Sequence, residues 1–123
     1  MLPTIQKIAT KLAPRLIEIR RHLHAHPDLS GQEYKTAAYV SGILSASGFH
    51  VQEMVGKTGV VAELKGTAGP NDNVLAIRTD MDALPIVEKT DLPFASKSPG
   101  IMHACGHDAH TTVGLGTAML LAE

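Results

Sequence analysis

The sequence predicts a globular domain of the α/β class, and three observations predict it. Two segments whose apolar residues recur at steps of three and four precede short segments rich in β-branched residues, and another such helical segment follows them. Apolar residues make up 44% of the chain and charged residues 19%, which is typical of a folded protein rather than a disordered one. The 123 residues suffice for one hydrophobic core and are too few for two ordinary domains.

Composition excludes several classes of partner. The net charge of -1 gives no basic surface for nucleic acid, and an aromatic content of 3% leaves little for base stacking. The sequence has no apolar run long enough for a membrane span or a signal peptide, so we expect no membrane partner. Cys105 is the only cysteine and cannot form an internal disulfide, which favours a reducing compartment. We therefore expect a cytoplasmic location.

The first amphipathic helix is predicted over residues 4–23, with charged residues between its apolar ones. Pro14 leaves two interpretations open, a helix kinked there or a helix that begins near residue 13. Pro27 ends the helix. Three histidines stand at alternate positions before it and would point in different directions on a helix, so we expect a polar helix end rather than a metal site. They are His22, His24 and His26.

A second helix is predicted to begin at a capping box formed by Ser30 and Glu33 and to close at Gly48 in a left-handed conformation. Residues 49–55 and 59–65 read as two strands joined by a turn. Residues 66–73 are dense in turn-forming residues and predict a surface loop.

The remaining sequence predicts a strand, a long loop and a helix. Residues 74–77 form a short apolar run typical of a strand covered on both faces, followed by two aspartates at its carboxyl end. A loop with two prolines then leads to a helix that begins near Asp108. Gly114 and Gly116 in this helix would let another backbone approach closely.

Residues 101–112 contain a dense group of side chains that can bind metal ions. Cys105 and His107 are separated by one glycine, and a thiolate and an imidazole are natural zinc ligands. A lone cysteine is most often a small buried apolar residue. The neighbouring His103, Asp108 and His110 favour the metal site instead. A cysteine nucleophile paired with His107 is the less favoured chemistry, because such partners usually come from distant segments.

The two aspartates before this group, Asp80 and Asp82, would point the same way from a strand end. Such carboxylates can bind a metal or accept the free N–H of a ligating imidazole. Capping of a turn is the structural alternative, and composition alone does not decide between these roles.

Three sequence blocks together resemble the M20 metallopeptidase family. They are HPDLS at residues 26–30, followed by Glu33 and Thr36, RTDMDALPI at 78–86, and HACGHDAH at 103–110. The blocks occur in the family's order and spacing. The closest similarity is to the amidohydrolase branch, which contains hippurate hydrolases, N-acyl-amino-acid amidohydrolases and indoleacetyl-amino-acid hydrolases.

The resemblance implies a zinc-peptidase-like catalytic domain with a mixed sheet flanked by helices, and a hydrolase that cleaves the amide bond of N-acyl amino acids such as hippurate. It implies two divalent ions, which could be zinc, manganese, cobalt or nickel. Cys105 and His107 would be metal ligands, and Asp82 would be the catalytic-site aspartate that orients the metal centre. The resemblance leaves the roles of Asp80, His103 and His110 open.

Members of this family continue well beyond 123 residues, so residues 1–123 are expected to be the N-terminal portion of a catalytic domain. The Glu-Glu segment with the general base, two further histidine ligands and the domain that pairs subunits would be absent. We therefore expect no family-like homodimer, weak metal binding and no measurable amidase activity from this chain alone. Robust hydrolysis of hippurate would contradict that expectation.

Two further hypotheses remain open. One is a metal-binding or partner-binding module without catalysis, derived from such an enzyme. The other is a structural remnant whose exposed sheet edge and apolar helix faces drive association.

Overall fold

The computed structural model describes residues 1–69 and 73–123. Three helices and two strands follow one another along the chain: α1 (Leu2–Ala25), α2 (Tyr34–Ala46), β1 (His50–Val55), β2 (Gly59–Glu63) and α3 (His107–Leu121). The predicted surface loop over residues 66–73 falls partly outside the described residues. Within the described ranges, none of the helices combines the length and the apolar character that crossing a membrane requires.

Helix α1 begins at Leu2 and continues through Pro14, so the alternative of a helix that begins near residue 13 is wrong. The helix ends at Ala25, and the backbone N–H of His26 donates to the carbonyl oxygens of His22 and Leu23. Pro27 follows directly, which confirms the predicted end of this element.

The hydrophobic core lies where the three helices meet. Its buried centre consists of Ile19 and Leu23 from α1, Val40 from α2 and Leu115 from α3. Partly buried apolar side chains pack around this centre, namely Leu16, Tyr39, Ile43, Leu44, Val60 and Met119. In α1 and α3 these residues follow one another at steps of three or four, and in α2 two adjacent pairs, Tyr39–Val40 and Ile43–Leu44, lie one turn apart, so the amphipathic patterns read from the sequence produce the observed core.

The capping box predicted at the start of α2 is wrong. No side chain caps this helix from the N-cap position, and the Glu33 carboxylate accepts hydrogen bonds from the Gly31 amide at 2.9 Å and the Thr58 hydroxyl at 2.6 Å. The amide of Thr36 instead donates to the Asp28 carboxylate at 2.9 Å. The prediction failed because Thr58, which lies 25 residues later, binds the glutamate.

Helix α2 closes as predicted. Gly48 adopts a left-handed conformation with φ of 87°, and its N–H donates to the carbonyl of Ser45. The N–H of Phe49 donates to the carbonyl of Leu44, which completes a Schellman motif. This motif turns the chain into β1, which pairs with β2 in an antiparallel hairpin. The two predicted strands are therefore confirmed.

The strand predicted over residues 74–77 is wrong. This segment has no regular structure, and Val74 and Leu75 are 91% and 81% exposed. Among the described residues, β1 and β2 pair with each other and form a two-stranded sheet. A buried strand needs a hydrogen-bonded neighbour on its edges, and the hairpin does not provide one for this apolar run.

Helix α3 packs closely on the segment that precedes the two aspartates. A Cβ atom on Gly114 would lie 2.6 Å from the Thr79 Cγ2 atom, and one on Gly116 would lie 3.0 Å from the Leu16 Cδ1 atom. The hydroxyl of Thr111 also donates to the backbone oxygen of Asp80 at 2.8 Å. The predicted approach of another backbone is wrong at both glycines, because the atoms that approach them belong to the side chains of Thr79 and Leu16.

A buried group of charged residues joins α1 to α3. Asp108, which is 1% exposed, has its Oδ2 atom 2.6 Å from His24 Nδ1 and 3.0 Å from Arg20 Nε. His24 Nε2 lies 2.9 Å from Glu88 Oε1. The sequence predicted a polar helix end here, and the structure shows in addition that the His24 ring is buried and contacts these two carboxylates.

The other two histidines of this segment lie apart from His24. The rings of His22 and His26 stack with centroids 4.4 Å apart, and His22 also stacks on Tyr39 at 3.9 Å. The expectation that the three rings do not converge on one point is confirmed. His22 and His26 are four positions apart and lie on one side of the chain, whereas His24 is two positions from each and points elsewhere.

Glu88 is held in its charged form by its surroundings. Burial opposes ionisation, but the Thr90 hydroxyl, the Ser96 amide and the His24 ring all contact the carboxylate and outweigh that effect. Together these contacts lower the pKa of Glu88 to about 2. The ionised carboxylate is therefore the form that the folded protein stabilises.

We predict opposite effects of the same substitution in two helices. Gly114→Ala should lower the free energy of unfolding by about 1–3 kcal/mol, because the new Cβ atom overlaps Thr79. Gly42→Ala in α2 should raise it by about 0.5–1 kcal/mol, because nothing lies within 4 Å of that site and alanine favours the helix. Urea unfolding monitored by circular dichroism measures both. Effects of the same sign would contradict the packing described for α3.

We also predict that Glu88 contributes to the acid sensitivity of the fold. Its pKa in the folded protein is about 2, against an ordinary value of 4.5. Its stabilisation is therefore fully present above the ordinary value and is lost as the pH falls toward the folded value. Glu88→Gln should be less stable than the unsubstituted protein near neutral pH, and the difference should shrink on acidification. Urea unfolding at several pH values tests this, and a difference independent of pH would contradict it.

Candidate metal centre

The candidate site is formed where the chain enters α3. Gly106 directly precedes the helix and has φ of 91°, a left-handed conformation that a residue with a Cβ atom rarely adopts. This glycine therefore lets the loop that carries Cys105 turn sharply into the helix that begins with His107. The two predicted ligands lie on either side of this turn, Cys105 in the loop and His107 at the first helical position.

Asp82 contacts His107 directly. The Nδ1 atom of His107 lies 2.9 Å from the Asp82 Oδ1 atom and 3.1 Å from the Asp82 backbone oxygen. Both partners are acceptors, so the Nδ1 atom carries the hydrogen and the lone pair of the neutral ring lies on Nε2. Each of the two side chains is 27% exposed, so the pair lies at the protein surface and is accessible from solvent. The structure thus brings together two of the three predicted site residues.

Cys105, the third predicted site residue, is an exposed free thiol. Its sulfur and the Nε2 atom of His107 form a donor set that suits zinc and similar borderline ions. Within residues 1–69 and 73–123, however, no group of three or more histidine, cysteine, aspartate or glutamate residues could hold a metal ion. The residues described therefore fit part of a metal site and do not form a complete coordination shell.

Asp80 and His110 pair with each other beside the candidate site. The backbone N–H of Asp80 donates to His110 Nδ1 at 3.2 Å, and the Asp80 carboxylate contacts Arg78. Asp82 contacts His107 instead. The two aspartates were expected to point the same way from a strand end, but the segment is not a strand and each aspartate binds a different histidine.

His103 lies in the interior behind Cys105 and is only 4% exposed. Neither of its ring nitrogens has a hydrogen-bond partner among the described residues. Burial disfavours the charged ring and lowers the pKa of His103, although the nearby Asp108 carboxylate opposes that effect. His103 is thus a buried neutral neighbour of the exposed cysteine.

The sequence alone did not reveal the buried group behind the site, which consists of Arg20, His24, Glu88 and Asp108. One signal was available. Leu16, Arg20 and His24 are spaced four residues apart and so lie on one face of α1, next to its apolar residues. Polar residues in such a row are candidates for buried pairs. No sequence pattern identified Glu88 or Asp108 as their partners.

Comparison with known proteins shows similarity to one family of hydrolases. The model of the peptidase family M20/M25/M40 matches residues 76–123. A Synechocystis sp. protein named as a probable hydrolase is 66% identical over 97% of this chain and 30% of its own length. The N-acetyl-L-cysteine deacetylase of Bacillus subtilis is 51% identical over 91% of this chain and 26% of its own length.

A solved structure supports the same relationship. The crystal structure of a Bacillus subtilis protein described as a dinuclear metal binding peptidase from the M20 family superimposes with a TM-score of 0.82 and 49% identity. The match covers 95% of this chain and 32% of that one. This confirms the predicted fold class, and the chain spans about a third or less of the length of these relatives. By sequence and by fold, the chain is similar to the N-terminal part of members of the peptidase family M20/M25/M40.

Proposed function

We propose that this chain contributes Cys105, His107 and Asp82 to the two-metal centre of an amidohydrolase that cleaves the amide bond of N-acyl amino acids. The observation that carries the proposal is the contact of 2.9 Å between the Asp82 carboxylate and His107 Nδ1. A carboxylate in this position is the usual outer partner of a metal-binding histidine. The N-acetyl-L-cysteine deacetylase and the dinuclear peptidase among its relatives support the reaction and the number of ions.

Each residue has a separate role in this proposal. His107 would bind an ion through Nε2, and Cys105 would bind through its thiolate. Asp82 would accept the Nδ1 hydrogen, which fixes the ring and increases the basicity of the ligating nitrogen. Divalent ions bound here would lower the pKa of coordinated water and polarise an amide carbonyl. Zinc suits this sulfur and nitrogen donor set, and manganese, cobalt and nickel are alternatives.

The chain would supply one part of a larger catalytic domain. It spans 30% and 26% of the lengths of two relatives that it matches over most of its own sequence. We propose that the general base and the remaining ligands come from sequence that corresponds to the other part of those relatives. The proposed partner is a small N-acyl amino acid, with hippurate as one candidate. A metal-binding thiolate must stay reduced, which favours a cytoplasmic location.

A second candidate function is metal binding without catalysis. The observation that favours it is the incomplete ligand set, because the described residues contain no group of three possible ligands. Such a module would bind an ion through Cys105 and His107 and would not hydrolyse amides.

We predict that Asp82→Asn weakens zinc binding by about 10-fold to 100-fold, because the neutral amide no longer supports the ligating ring as a carboxylate does. Asp80→Asn is the matched control. It removes the same charge two residues earlier, where the carboxylate contacts Arg78 rather than His107. Competition with a chromophoric zinc chelator measures the affinity of all three proteins. An equal loss in both variants, or no loss in either, would contradict the role proposed for Asp82.

The same zinc-loaded samples test the division between catalysis and binding. We expect none of them to hydrolyse hippurate or N-acetyl-L-cysteine measurably, because two ligands and no general base are in place. Robust hydrolysis by the unsubstituted chain would show that the residues present suffice for catalysis. Loss of zinc binding in Cys105→Ser without any hydrolysis in either protein would favour the second candidate function for the isolated chain.

A further inference from the structure

We propose that His24 is a positioning residue for the metal ligand His107 and that it acts through the buried carboxylate of Asp108. The inference rests on the proposed function, because it assumes that His107 binds an ion. His24 does not contact the candidate site itself. It contacts Asp108, and Asp108 follows His107 directly at the start of α3.

The contacts of His24 define its role. Its Nδ1 atom lies 2.6 Å from Asp108 Oδ2, and its Nε2 atom lies 2.9 Å from Glu88 Oε1. Both partners are carboxylate oxygens, so only a ring with a hydrogen on each nitrogen satisfies the two contacts. The ring is thereby fixed between the first turn of α3 and the loop that contains Glu88.

Asp108 transmits this constraint to the start of the helix. Its Oδ2 atom contacts His24 and Arg20, and its Oδ1 atom accepts a hydrogen bond from the backbone N–H of Ala109 at 2.8 Å. A carboxylate in the first turn is also favoured by the helix dipole. Any rotation of this turn would break these contacts and would move His107 away from Asp82.

The surroundings of His24 prevent water from replacing it. The side chains of His24, Glu88 and Asp108 are all buried, and Phe94 packs edge-on against the His24 ring with centroids 5.7 Å apart. Glu88 is itself fixed by the Thr90 hydroxyl and the Ser96 amide. The position of Glu88 is therefore fixed by its own contacts. Loss of His24 would leave the buried carboxylates of Glu88 and Asp108 without the ring that donates to both.

The test is a cobalt titration of the full 123-residue chain and two variants. Cobalt bound by the Cys105 thiolate gives a charge-transfer absorption that reports binding at this site. His24→Gln should bind cobalt about tenfold more weakly, the lower end of the range for outer partners of metal ligands. His22→Gln is the matched control, since it makes the same substitution on the same helix at a ring that stacks on His26 and Tyr39. It should leave the affinity unchanged.

The titration is made at low temperature, where circular dichroism shows that each variant is folded. A merely structural His24 would lower the unfolding temperature of His24→Gln and leave the cobalt affinity of the folded protein unchanged, which would overturn the inference. An equal loss of affinity in His22→Gln would also overturn it. If the unsubstituted chain shows no charge-transfer absorption, the ligand role of Cys105 fails, and the inference that depends on it fails too.

Glu88→Gln keeps the proposal testable if His24→Gln does not fold. This variant can retain an oxygen acceptor for His24 Nε2, and it removes the charge and the second oxygen, which accepts from the Ser96 amide. It should weaken cobalt binding in the same direction by a smaller factor. An affinity equal to that of the unsubstituted chain in a folded Glu88→Gln would overturn the inference.

Discussion

The buried carboxylate of Asp108 is the interaction on which the arrangement of the site depends. It joins the end of α1 to the start of α3 through Arg20 and His24, and His24 extends the connection to Glu88. The side chains of His24, Glu88 and Asp108 are buried, and Arg20 reaches Asp108 from a partly exposed position. Removing one partner of such a buried pair typically costs about 3–5 kcal/mol, because the other charge is left without compensation. The contacts of Asp108 therefore fix the position of the first turn of α3.

The candidate metal-binding residues lie next to this buried group. Gly106 turns the loop into the helix, and the first helical residue, His107, meets Asp82 from the segment that passes α3. Close packing of Thr79 on Gly114 holds that segment against the helix. The ring of His107 is consequently oriented from two sides, by the backbone position of α3 and by the Asp82 carboxylate. Cys105 is on the solvent side of the same turn.

Local patterns predicted the parts of the fold that local interactions determine. The periodicity of the helices and the left-handed Gly48 follow from residues near one another in sequence. The capping box failed because Glu33 binds Thr58 instead. The strand over residues 74–77 failed because an apolar run forms a strand only where another strand pairs with it.

The candidate site shows the same division. The spacing of Cys105 and His107 indicated a metal site, and the position of Asp82 suggested an outer partner, which the structure places in contact with His107. His24 could not be assigned from sequence, because its partner Asp108 lies 84 residues away. Local helix geometry showed only that His22, His24 and His26 do not converge.

We propose that the contacts around Asp108 hold His107 and Cys105 so that both bind one ion. Zinc K-edge X-ray absorption of the zinc-loaded 123-residue chain tests this arrangement. We expect a sulfur atom at about 2.3 Å and an imidazole nitrogen at about 2.0–2.1 Å from the zinc, with the sulfur signal lost in Cys105→Ser. A spectrum with oxygen and nitrogen neighbours alone, unchanged in that variant, would contradict it.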